Sequence, residues 1–190
     1  MTAVMAKGVN FTGAKKYIED KYGAELWGRI IQSLSPEAKA VWGGVLLVST
    51  SYPFTAFKEM MSALTGELKS ASESEIAEIY EYIADQSLHK IYKIFFQFSN
   101  PSFVIKNYPK LWGMFFNAGT VEVPVAEKGH AVLKFMLPDI FNGWLPPACL
   151  GYSKKAIEMA GGKNLVMKKT SAEKVSDDQW ETVFELRWAE

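Results

Sequence analysis

Two histidines and one cysteine are the side chains of this sequence best suited to holding a metal or forming a covalent bond. His89 follows Asp85 by one helical turn, so a carboxylate is within reach of orienting its ring. Beside Lys90, the plainer reading is an exposed i,i+4 pair worth little. His130 opens a strand next to Gly129, and its distance in sequence from His89 matches no metal-ligand spacing. Cys149 sits early in a helical pattern, where the helix N-terminus can lower a thiol pKa. A buried, inert thiol is the commoner role for such a residue. Gly161-Gly162-Lys163 follows a helix rather than opening one, so it is no phosphate loop. Glu37, Glu67, Glu73, Glu75, Glu78 and Glu81 read as solvated, with no carboxylate pair among them. These residues point to no catalytic or metal site, and the chain is not read as an enzyme.

A second group has chemistry of a softer kind. Phe95, Phe96, Phe98, Phe103, Tyr108, Trp112, Phe115 and Phe116 form an aromatic series, and six of the methionines (Met60, Met61, Met114, Met136, Met159, Met167) are adaptable apolar fillers. Together they suit either the lining of an apolar pocket or an ordinary core. Lys154, Lys155, Lys163, Lys168 and Lys169 could gather as a basic patch, diluted by Glu158, Glu173 and Glu181.

The elements that must position these groups are legible from period and punctuation. Phe11, Ala14 and Ile18 mark one helix face, with Thr12 as its expected N-cap. Leu26, Trp27, Ile30 and Ile31 mark the next after Tyr22-Gly23. Ser35-Pro36 opens a third helix. Residues 45–48, Val-Leu-Leu-Val, fit a strand or a buried helix equally well. Phe54, Phe57, Met60, Met61 and Leu64 continue at helical spacing to Gly66. Ser72 and Glu75 form a capping-box signature for a long helix from Glu73 to Phe98. Asn100-Pro101 breaks it, and Pro109 should divide the following helix, 102–116. Thr120 to Pro124 reads as an edge strand because of its proline. From Lys128 the pattern becomes strand, helix, strand, turn, strand. Ala131, Leu133 and Phe135 alternate in the first strand. Pro146-Pro147 opens the helix and Gly161-Gly162 stops it. Asp177-Asp178 turns the chain into the last strand, with Val183, Phe184 and Leu186. This order predicts an α+β fold: an N-terminal helical lobe (1–117) packed on a C-terminal antiparallel sheet with one helix laid across it (118–190), in a single domain.

The totals agree. The chain has 190 residues, 48% hydrophobic and 14% aromatic, enough for a large core. Lysine plus arginine and aspartate plus glutamate are 21 each, so bulk charge recommends neither nucleic acid nor an anionic membrane. No apolar run approaches the ~20 residues of a membrane span, and the first residues lack the apolar centre of a secretory signal. The expectation is a cytoplasmic protein.

The order of elements resembles the fold shared by heme nitric oxide/oxygen-binding (H-NOX) domains, four-vinyl-reductase-type domains and TRAPP trafficking subunits. The helix ending in Tyr22-Gly23, the long central helix, Ala126-Glu127-Lys128-Gly129 leading into a strand, and the helix ending at Gly161-Gly162 carry the likeness. The stretch from Gly143 to Asn164 is also similar to the sheet-covering helix of the four-vinyl-reductase group. Gly44-Val-Leu, Tyr52-Pro53 and Tyr108-Pro109-Lys-Leu-Trp112 resemble H-NOX-like proteins of delta-proteobacteria.

The resemblance implies a histidine ligand to heme iron at a position that falls near Asn107, where a neutral amide stands. It also implies a Tyr-x-Ser-x-Arg clamp for the heme propionates, where this chain has Phe135-Met136-Leu137-Pro138-Asp139. It therefore carries over the fold without the cofactor. The family's cavity between helices and sheet places the candidate pocket at Phe95, Phe96, Phe103, Asn107, Tyr108, Trp112, Met114 and Phe135. Three functions follow as expectations. The leading one is a heme-free sensory module that takes a small apolar or lipid-like molecule and signals to a partner protein. Another is a dimeric scaffold with a solid core, which exposed Trp27, Trp42 or Trp188 would favour. The third is a divergent heme gas sensor using His89 or Cys149 as ligand.

Overall fold

The computed structural model describes residues 3–69, 72–91 and 100–190. Phe95, Phe96 and Phe98, the end of the long helix, and the side chain of His89 lie outside the described residues.

Helix α1 (Gly8–Tyr22) buries Phe11, Ala14 and Ile18 along one stripe and ends at Gly23, whose φ of 87° favours glycine. Thr12 is not its cap. The helix starts a turn earlier, and the Thr12 hydroxyl donates back to the Gly8 carbonyl at 3.0 Å. The first amides are satisfied by backbone instead: Gly8 and Val9 donate to the carbonyls of Thr50 and Val48 at 2.7 and 3.1 Å. Helices α2 (Ala24–Ser33) and α3 (Pro36–Trp42) follow, the latter capped by Ser35, whose hydroxyl accepts from the Ala38 amide at 3.3 Å.

Residues 45–48 are neither strand nor helix but an exposed loop. It is bracketed by a two-stranded ribbon, β1 (Met5–Lys7) with β2 (Ser51–Pro53). Strands of three residues are too short for alternation to be legible, so the sequence hides them. Helix α4 (Phe54–Leu68) runs past Gly66. Helix α5 (Ser72–Ile91) is the long central one. The predicted helix over 102–116 is divided into α6 (Pro101–Lys106) and α7 (Tyr108–Phe115), with Asn107 as the break ahead of Pro109.

The C-terminal half forms an antiparallel sheet of strands β3 (Thr120–Glu127), β4 (His130–Pro138), β5 (Lys163–Ser176) and β6 (Gln179–Ala189), in the order β3-β4-β6-β5. Strand β3 lies at an edge, and its register slips between Glu122 and Val125, around Pro124, which cannot supply a ladder amide. Helix α8 (Leu145–Met159) carries the chain from β4 past the place that β6 later fills. It touches the sheet at β5 and packs most closely along α5. Gly151 makes that approach possible: a Cβ there would stand 1.9 Å from the Ala77 carbonyl oxygen. One cluster of buried residues joins both halves, from Phe11, Phe57 and Ile79 to Leu133, Phe135 and Phe184. Among the described residues no helix is long and apolar enough to cross a membrane.

Candidate functional site

Helix α7 turns one face inward. Tyr108, Leu111, Trp112 and Phe115 recur at helical spacing and line a cavity between α1, α5, α7 and α8, completed by Asn10, Tyr80, Trp144, Ala148, Cys149 and Tyr152. Its volume is about 30 Å³, room for a water molecule or two. The wall is predominantly aromatic. Trp112 lies 4.5 Å from Phe116 and 5.5 Å from Phe135, centroid to centroid, and Tyr108 meets Phe135 and Tyr152 edge-on at 5.9 and 6.1 Å.

The polar groups at this wall are few and buried. The Tyr108 hydroxyl donates to Cys149 Sγ at 3.6 Å, and Ser153 Oγ stands 3.8 Å from the same sulfur. Burial pushes the Cys149 thiol up to about 11, against the hydrogen bonds from Tyr108 and Ser153 that favour the thiolate. Burial likewise pushes the Tyr108 hydroxyl well above its ordinary value. Both are neutral near pH 7. Asn10 is fully engaged: its amide donates to the Lys7 carbonyl at 3.0 Å and its carbonyl accepts from Tyr80 at 3.2 Å.

Of the residues expected in a pocket, Tyr108 and Trp112 line this cavity, and Phe135 packs behind them. Phe103 and Met114 do not; they point outward at 42% and 46% exposure, Phe103 on the separate helix α6 and Met114 on the other face of α7. Asn107 is half-buried at the α6–α7 junction, its side-chain amide donating back to the Phe103 carbonyl at 2.9 Å. Tyr108, one residue on, is the side chain that faces the space. Asn10, Tyr80, Trp144 and Tyr152 were missed by sequence reasoning. Only Asn10 left a trace, as a polar residue beside the apolar face of α1.

The remaining candidates are dispersed. His130 is half-buried, with Nε2 3.2 Å from a Glu185 carboxylate oxygen on the neighbouring strand. Asp85 pairs with Lys155 at 2.8 Å and Lys154 with Glu81 at 2.9 Å, so helix α5 neutralises two of the five lysines of the expected basic patch. Glu75 is not solvated: it is 6% exposed and accepts from the Tyr22 hydroxyl at 2.9 Å. Next to it the Lys21 ammonium lies over the Tyr17 and Tyr22 rings, 5.1 and 4.9 Å from their centroids, and pairs with Glu78. Among the described residues no three histidine, cysteine, aspartate or glutamate side chains gather as a metal site.

No protein-family profile matches the chain, and no curated protein does. Solved structures match over nearly its whole length. The Fe(II) unliganded H-NOX protein from K. algicida superposes with a TM-score of 0.70 at 16% identity, covering 97% of each chain. A mutant H-NOX of T. Tengcongensis gives 0.73 at 9% identity, covering 97% of this chain and 98% of that one. The fold is that of an H-NOX domain. An oxygen-binding H-NOX domain related to soluble guanylate cyclases, solved as its oxygen complex, gives 0.70 at 8% identity over 97% and 95%. None of these matches bears on the likeness to delta-proteobacterial proteins.

A heme needs space, an iron ligand and cationic partners for its propionates. The cavity of about 30 Å³ is far smaller than a porphyrin. Its described lining offers no histidine, and the groups there of a type that ligates heme iron elsewhere, the Tyr108 hydroxyl and the Cys149 thiol, are hydrogen-bonded to each other. Among the described residues no arginine or lysine lines it to meet propionates. At the place of the expected clamp, Asp139 Oδ1 accepts from Trp180 Nε1 at 2.7 Å.

Proposed function

We propose that this chain is a single-domain, heme-free ligand-binding module of the H-NOX fold, non-enzymatic, that takes a small apolar molecule between α7 and α8 and reports its presence to a partner protein. The observation that carries this reading is the aromatic cavity at the junction of helical lobe and sheet, with the Tyr108 hydroxyl and Cys149 thiol as its polar contacts. Its size favours a compact ligand over a lipid chain. Even benzene occupies cavities of roughly 150 Å³, so entry requires the rings of Tyr108, Trp112 or Phe115 to rotate. The likeness to sensory domains supports a binding role by analogy of fold.

The test is native mass spectrometry after exposure to a mixture of small aromatics and short-chain lipids. A retained adduct that is lost when Ala148→Leu fills the space supports the proposal, and a clean apo mass throughout counts against it. A visible spectrum after expression with heme supplied separates the gas-sensor alternative. A flat spectrum is expected, and a Soret band that shifts with nitric oxide overturns the heme-free reading. The scaffold alternative loses the feature that favoured it, since Trp27, Trp42 and Trp188 are 8%, 1% and 6% exposed.

A further inference from the structure

Among the described residues, three of the seven large apolar side chains left exposed stand within one loop: Val45 at 84%, Leu47 at 55% and Val48 at 56%. They belong to residues 43–51, Gly-Gly-Val-Leu-Leu-Val-Ser-Thr-Ser, a stretch without a single charge. Exposed apolar side chains clustered in this way need a reason, because scattered ones do not.

The loop is held, not slack. Its carbonyls at Val48 and Thr50 accept from the first amides of α1 at 3.1 and 2.7 Å. Tyr52 locks it from inside: its hydroxyl accepts from the Leu47 amide at 2.9 Å and reaches the Val45 carbonyl at 3.3 Å. Gly8 allows the approach, since a Cβ there would lie 1.9 Å from the Leu47 carbonyl oxygen. Leu46 packs toward the core while its neighbours point out. The three side chains are therefore presented in advance, and docking them loses little conformational entropy.

Two lysines adjoin this loop, one through its ammonium and one through its backbone. Lys7 Nζ donates to the Ser49 carbonyl at 3.2 Å, at the base of the loop. Lys39 lies one turn before Gly43, whose amide donates to the Lys39 carbonyl at 2.8 Å. Neither has a carboxylate partner among the described residues. The acid closest in sequence, Glu37, sits on the first turn of α3.

We propose that the loop is a peripheral membrane contact, with Val45, Leu47 and Val48 wedged among acyl chains and Lys7 and Lys39 against anionic phospholipid headgroups. Three aliphatic side chains offer a few hundred Å² at most, well short of the roughly 1,000 Å² of a stable protein interface. A lipid surface asks for no complementary groove and accepts a convex apolar wedge beside cations. Such a contact is weak, reversible and weakened by salt. It stands independently of what the cavity holds.

The experiment uses the whole chain with sucrose-loaded vesicles of phosphatidylcholine, alone or mixed with phosphatidylserine. Co-sedimentation with the mixed vesicles at low salt is expected, less with phosphatidylcholine alone. The variant Val45→Asp with Leu47→Asp should fall at least about tenfold in partitioning, with an unchanged far-ultraviolet circular dichroism spectrum. A second reading needs no loss of function: Val45→Cys labelled with a polarity-sensitive dye, which buried Cys149 leaves selective, should shift to the blue on vesicles. Wild type left in the supernatant with both vesicles, or a dye spectrum that does not move, overturns the proposal. So does a dimer in sedimentation velocity that the double variant abolishes, which assigns the loop to a second copy instead.

Discussion

At the residue scale, burial decides what the few reactive groups do. Cys149 is the fifth residue of α8, past the first turn where a helix end lowers a thiol pKa; it is 2% exposed and burial pushes its thiol up to about 11. Desolvation outweighs the hydrogen bonds to Tyr108 and Ser153 because the whole sulfur is out of water. Labelling by an aromatic disulfide at pH 8 should therefore be at least about 100-fold slower in the native protein than in urea. Comparable rates in the two states would show the thiol open to solvent. Glu78 goes the opposite way: hydrogen bonds from Lys21 and Tyr17 hold its carboxyl below the ordinary 4.5. As pH falls the unfolded chain takes up this proton first, so the pair's contribution is complete above about 4.5 and is lost as pH drops through the native value. Urea midpoints of Glu78→Gln should lie below wild type at neutral pH and converge with it in acid. A constant gap across that window would refute the assignment.

At the element scale, the decisive contacts are close approaches of backbone. Helices α5 and α8 meet at Gly151, where a Cβ would stand 1.9 Å from the Ala77 carbonyl oxygen and 3.0 Å from the Glu81 amide nitrogen. Backbone cannot rotate away as a side chain can. Gly151→Ala should cost about 1–3 kcal/mol or more by equilibrium unfolding, the range of overpacked cores. A loss below half that range would mean the helices are free to separate. Elsewhere the sequence marked the elements well. Ser35, Pro109, Pro124 and Asp177-Asp178 act where their chemistry says they should, because caps, breaks and turns are local events. It failed at residues 45–48 and at the β1–β2 ribbon for one reason. Those residues are organised by the amides at the start of α1, some forty positions earlier in the chain, which no local pattern records.

At the scale of the whole molecule, the cavity sits within a core shared by the helical lobe and the sheet. Unfolding followed by far- and near-ultraviolet circular dichroism should give coincident transitions, as expected of one cooperative unit. Two separated transitions would divide the chain at the 117/118 boundary instead. Trp112, 7% exposed, spans the junction through its rings to Phe135 and Phe141 and its indole donation to the Ala118 carbonyl at 3.0 Å. Trp112→Ala should lose about 3–5 kcal/mol while enlarging the cavity. A retained small aromatic in that variant alone would place wild type on the closed side of ligand entry.

The sequence by itself determined the fold class, the order of the elements and most of their ends, because periodicity and turn chemistry are written within each segment. What tertiary structure alone decided is which aromatics face the cavity. Tyr108 and Trp112 do, while Phe103, on the separate helix α6, and Met114, on the other face of α7, face outward. It also brought Asn10, Tyr80, Trp144 and Tyr152 to the same space from three distant stretches, and left Val45, Leu47 and Val48 in water. Composition and spacing are silent on such convergence, since it arises only when separate elements pack.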